Sequence, residues 1–118
     1  MRLLFVCIFS FTLLTTSVAQ DAAQSQPVLA FNRDIRPILS DSCFPCHGPD
    51  AKNRQAELRF DVAESALAAR EGRRAIVAGD LQQSELIRRV MSRDPDEQMP
   101  PPGSGHALTK EEIDKLGK

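Results

Sequence analysis

The sequence predicts a small all-α domain of three to five short helices joined by long loops. Three observations predict it. Apolar residues recur at helical spacing in several short segments, S/T/D-x-x-E/Q capping signatures precede most of them, and no stretch alternates as a strand should. The chain has 118 residues, with 15 basic and 16 acidic side chains, and contains no tyrosine or tryptophan. A near-neutral balance without a basic patch excludes nucleic-acid binding as the expected role.

The N-terminus reads as an export signal. Met1-Arg2 gives a positive start, Leu3 to Leu14 is mostly apolar, and Ser17-Val18-Ala19 supplies small residues for cleavage before Gln20. The apolar stretch is shorter than the ~20 residues of a membrane span, so no stable span is expected after cleavage of residues 1–19. An uncleaved anchor is the alternative. Cys7 lies inside the apolar stretch and reads as a small hydrophobe. Cleavage would leave Cys43 and Cys46 as the exported thiols, with Phe31, Phe44 and Phe60 as the aromatics. A domain this small needs help to be stable, and a large apolar cofactor would give its core something to pack around. Residues 20–30 are polar and Ala/Gln-rich and read as a disordered lead-in.

The first helix is expected over Phe31 to Ser40, where Phe31, Ile35, Ile38 and Leu39 share a face. Asn32 or Asp34 would cap it, and Pro37 would fall near its first turn. Asp61-x-x-Glu64 predicts a helix over Val62 to Glu71 that stops at Gly72, and Asp80-x-x-Gln83 predicts one over Leu81 to Met91. Asp94 to Gly105 holds four prolines and two glycines and must be irregular. Thr109-x-x-Glu112 caps a last helix with Ile113 and Leu116 on its apolar side.

The chemistry lies where the first helix ends. Cys43-Phe44-Pro45-Cys46-His47 is C-x-x-C-H, the attachment pattern of a c-type haem. Two thiols at this spacing can each form a thioether with one vinyl group of a single porphyrin, and the adjacent histidine can ligate the iron from below. Pro45 would shape the turn, and Gly48-Pro49 would let the chain bend away beneath the ring. Covalent haem attachment occurs outside the cytoplasm, so motif and export signal agree on a periplasmic or otherwise exported protein.

For the opposite axial position the candidates are Met91, Met99 and His106, with an open site as a fourth possibility. Met91 falls on the apolar face of a predicted helix and reads as core. His106, between Gly105 and Ala107, reads as solvent-exposed. Met99 precedes Pro100-Pro101-Pro102, which would hold its thioether in place at low entropic cost, and it is the favoured ligand. Arg59, Arg73 and Arg74 could pair with haem propionates, although solvated arginines are the ordinary case. Asp94, Asp96 and Glu97 form an acidic run that could steer a basic redox partner.

The ordered set of motifs resembles planctomycete-type cytochrome c domains. It comprises Phe31 to Leu39, Cys43-x-x-Cys46-His47-Gly48, Leu58-Arg59-Phe60-Asp61, Ala75 to Asp80, Ser84 to Val90 and Met99 to Pro102. The resemblance spans about Phe31 to Leu116. It implies a class I cytochrome c-like helical fold over residues 31–118, one haem c attached at Cys43 and Cys46, and axial ligation by His47 and Met99. It also implies redox proteins as partners, and related chains often run on into larger domains. Two departures stand out. The last helix ends one or two turns early, which would thin its contact with Phe31 and Ile35. Ala56-Glu57 stands where the family tends to have glycines.

The leading expectation is a monohaem electron carrier or relay, not an enzyme. The alternatives are a five-coordinate haem module that binds peroxide or a diatomic ligand and, less favoured, a thiol–disulfide protein that uses Cys43 and Cys46. A zinc site is weaker still, because no fourth ligand is specified.

Overall fold

The computed structural model describes residues 28–118, so the expected signal peptide 1–19 and most of the lead-in 20–30 lie outside the described residues. The chain opens with a π-helical turn, Phe31–Ile35, that runs directly into α1, Arg36–Ser42. The widened turn has a local cause. Pro37 has no N–H to give the Arg33 carbonyl and its ring crowds that carbonyl, so the α-helical ladder is interrupted here, and Arg36 N–H bonds five residues back to Phe31. Neither Asn32 nor Asp34 is the expected N-cap: Ala30 and Ile35 occupy those positions without a side-chain cap, and Asp34, inside the π-helical turn, accepts the Ala30 N–H at 2.7 Å.

α2, Phe44–His47, follows α1 after one residue; α3 is Ala63–Leu67, α4 Glu85–Val90 and α5 Lys110–Leu116. The two middle helices are shorter than the sequence suggests. Asp61 pairs with the Arg59 guanidinium, so α3 begins at Ala63 with no side-chain cap. Asp80 Oδ1 accepts the Gln82 and Gln83 N–H groups at 3.0 and 3.1 Å, closing a local turn that delays α4 to Glu85. The Thr109–Glu112 capping box is formed from both sides, and α5 starts where the sequence places it.

The all-α expectation is wrong for this chain. Ala69–Arg70 (β1) and Arg73–Arg74 (β2) pair as an antiparallel hairpin within the segment expected to finish α3 and stop at Gly72. Glu71 and Gly72 have φ of 50° and 78°, so both central residues of the two-residue loop are left-handed, the geometry that fits hairpin twist. Arg70 holds the junction by donating to the Ser65 carbonyl at 2.6 Å and the Ser65 hydroxyl at 2.7 Å. A single isolated bridge links Arg74 to Ser84 in parallel. Among the described residues the fold is therefore one π-helical turn, five short α-helices and one small two-stranded sheet, which is not the all-α class I fold expected.

The core is small. Leu39, Cys43, Phe60 and Ala66 form its buried centre, and Ile35, Phe44, Leu58, Ala75, Ile76, Leu86 and Leu116 pack around it. α5 rests on the π-helical turn and on α4, so Leu116 and Ile35 join the same cluster while Phe31 stays 57% exposed.

Candidate functional site

Every residue of the C-x-x-C-H motif is fixed by the junction of α1 and α2. Cys43 ends the first helix and begins the second, donating its N–H to the Leu39 carbonyl at 2.9 Å and accepting His47 N–H at 2.7 Å. Cys43 is buried and Cys46 exposed, and both thiols are free. The bend after His47 depends on Gly48. A Cβ there would lie 2.5 Å from the Phe44 carbonyl oxygen and 2.9 Å from its Cα, so the requirement is close approach of backbone to backbone.

The following loop is stitched back onto this turn. Gln55 N–H donates to the Cys46 carbonyl at 2.8 Å and Phe60 N–H to the His47 carbonyl at 2.9 Å. The Gln55 carbonyl lies 3.2 Å from His47 Nδ1. A carbonyl can only accept, so Nδ1 carries the hydrogen and the lone pair of the neutral ring is on Nε2. The Phe60 ring meets the imidazole edge to face, with centroids 5.8 Å apart and planes at 87°. Burial pushes the His47 pKa down, with Arg89 adding to the effect against the Gln55 hydrogen bond, so the neutral ring is favoured.

Two cavities meet on this histidine. One, of about 370 Å³, is bordered by Cys43, Cys46, His47, Met99, Pro100 and His106. The other, of about 500 Å³, extends from His47 and Met99 past Leu58 and Ala75 to the β1–β2 hairpin. Both share His47, Gln55, Phe60, Leu86 and Met99, and together they make one long, largely apolar cleft. The sequence-selected residues Cys43, Cys46, His47 and Met99 thus converge although 56 positions separate Cys43 from Met99. Met99 is held there by its N–H, which donates to the Arg89 carbonyl at 3.1 Å.

The other candidates separate. Met91 is 65% exposed at the end of α4 and borders neither cavity, contrary to its reading as core. His106 is half-buried and borders the smaller cavity, so it is not simply solvent-exposed. Arg59 is committed to Asp61 and lies outside the cleft, whereas Arg73 and Arg74 border it. Gln55 and Phe60, which hold His47, were not singled out for this. A backbone carbonyl acceptor leaves no mark in the sequence, and a lone buried phenylalanine reads only as core.

The donor set fits a c-type haem. Two free thiols, an imidazole with Nε2 available and a thioether border one apolar cleft, which is the set that covalent attachment and axial ligation require. It fits a thiol–disulfide site less well. Burial pushes the Cys43 pKa up to about 11, with Cys46 adding to the effect, whereas reactive thiols have lowered values. Among the described residues no group of three or more His, Cys, Asp or Glu side chains could hold a metal ion.

Comparison with curated proteins and with solved structures gives no match. The family described as planctomycete cytochrome C matches residues 43–103, just over half of the chain, from the first motif cysteine through the proline-rich loop that carries Met99. That match bears out the resemblance read from the motifs and implies haem c binding. The chain belongs to the planctomycete cytochrome c family.

Proposed function

We propose that this protein is a monohaem c-type electron carrier or relay module, exported from the cytoplasm, with His47 and Met99 as the axial ligands. The observation that carries the reading is the convergence of Cys43, Cys46, His47 and Met99 on one apolar cleft. Each thiol would add across one vinyl group, the sulfur bonding to one vinyl carbon and a proton going to the other. His47 is oriented before it binds anything, because the Gln55 carbonyl holds Nδ1–H and Phe60 holds the ring face. Met99 is positioned by the Arg89 carbonyl and followed by three prolines, so its thioether is presented at low entropic cost. Phe60, Leu58 and Leu86 give the cleft an apolar lining. When bound, the haem supplies a one-electron couple at its iron, and methionine ligation favours the ferrous form and raises the potential. No catalytic group is assigned, and the partners are other redox proteins. Among the described residues no helix is long and apolar enough to cross a membrane.

His106 on the same cavity gives one specific competitor for the distal position. Absorption spectra of oxidised and reduced protein, matured in a periplasm that attaches haem, test both. Met99→Ala is expected to abolish the low-spin six-coordinate spectrum while His106→Ala leaves it intact. The reverse pattern transfers the role to His106. A low-spin spectrum kept by both variants overturns both assignments, and a wild type that is already high-spin supports a five-coordinate module for peroxide or diatomic ligands.

A further inference from the structure

The larger cavity ends on charge, not on apolar surface. Its charged border consists of Arg70, Glu71, Arg73 and Arg74 from the hairpin and Glu85 and Arg89 from α4. Most of these groups are already engaged. Arg70 is spent on the Ser65 carbonyl and hydroxyl. Glu85 accepts Arg88 at 2.6 Å and Arg89 at 3.0 Å, which neutralises it and occupies Arg89. Arg73 stands a loose 3.6 Å from Glu85 with its side chain 61% exposed. Arg74 has no side-chain partner among the described residues. A doublet of guanidiniums beside an apolar cleft, with little bound to either, calls for an anion from outside the chain.

The porphyrin supplies one. Its vinyl groups lie on one half of the ring and its two propionates on the other. The cysteines border only the smaller cavity, so a ring tethered there extends its carboxylate half into the larger one, towards the hairpin. The geometry points to Arg73 and Arg74 of β2 as the residues that receive the haem propionates, which gives the hairpin a role in positioning the cofactor. This assignment rests on the haem reading proposed above. It also separates the two strand arginines from Arg59, which is paired with Asp61 away from the cleft.

Resonance Raman spectroscopy and redox titration of the haem-loaded protein test it, using R73Q/R74Q beside wild type and R59Q. The propionate-bending band reports hydrogen bonding to the carboxylates, and the midpoint potential reports nearby charge. Expected is a shifted band and a lower potential in R73Q/R74Q, because removing positive charge from the propionate end of the haem disfavours the ferrous form. R59Q should match wild type. Haem-loaded R73Q/R74Q whose band equals that of wild type overturns the arginine assignment alone, while a wild type that carries no covalent haem overturns the haem reading with it.

Discussion

Replacing Gly48 with alanine adds a single methyl group where the C-x-x-C-H turn passes closest to its own backbone. The Cβ would sit 2.5 Å from the Phe44 carbonyl oxygen, 2.8 Å from the Phe44 Cβ and 2.9 Å from its Cα. Ordinary contact begins at 3.4 Å, so one of the two segments must shift by nearly an ångström. Two of the three opposing atoms are backbone of α2, the helix that carries Cys46 and His47, and no rotamer change relieves them. Overpacking of this kind costs about 1–3 kcal/mol, and the rigidity of both partners places Gly48→Ala near the upper value. For a domain of this size that is a fall in Tm of roughly 10–20 °C. Gly103→Ala is the matched control. Its Cβ meets nothing within 4 Å, but its φ of 80° is left-handed, so it should lose only about 1 kcal/mol. The assay is thermal unfolding of the haem-loaded proteins followed by circular dichroism, with the fraction of chains carrying haem measured alongside. A Gly48→Ala protein that melts within a degree or two of wild type would refute the argument from close approach.

Two further predictions concern stability alone. Ala56 and Glu57 have φ of 54° and 50°, so Ala56→Gly should raise stability by about 1 kcal/mol in urea unfolding, and a loss would show that the loop gains more from the side chain than it spends on the conformation. Glu85 is held by Arg88 first and then by Arg89, which lowers its pKa from 4.5 to about 2. A depressed carboxyl stabilises the fold fully above its unfolded pKa and loses that contribution as pH falls through the folded value. The stability gap between wild type and Glu85→Gln, about 1 kcal/mol for a cluster at the surface, should therefore be constant above pH ~5 and close towards pH ~2. A gap independent of pH across that window would assign the effect to packing.

The expected departure at Ala56-Glu57 shows how sequence and structure complement each other. Neither residue is a glycine, yet both take the left-handed backbone that glycine would favour. The hairpin shows the opposite case. Asp61-x-x-Glu64 followed by Gly72 is a reasonable helix sentence, but Asp61 bonds Arg59 and Arg70 bonds Ser65, so the helix ends at Leu67 and the rest pairs as strands. The competing partners lie only two and five residues away, so competition between local hydrogen bonds decided the outcome against the helix.

What the sequence determined by itself is the local chemistry. The spacing of Cys43, Cys46 and His47, the proline run after Met99 and the Thr109–Glu112 cap are each complete within a few residues, so their meaning survives without knowledge of the rest of the chain. The tertiary structure alone decided what depends on distant segments meeting. It brought Met99 and His106 to the cysteine cavity and left Met91 exposed, set the Gln55 carbonyl against His47, and placed Arg73 and Arg74 at the far end of the cleft. The physical reason is that a side chain's partner is chosen by packing and by competition for hydrogen bonds, and both are settled only when the whole domain has closed around its core.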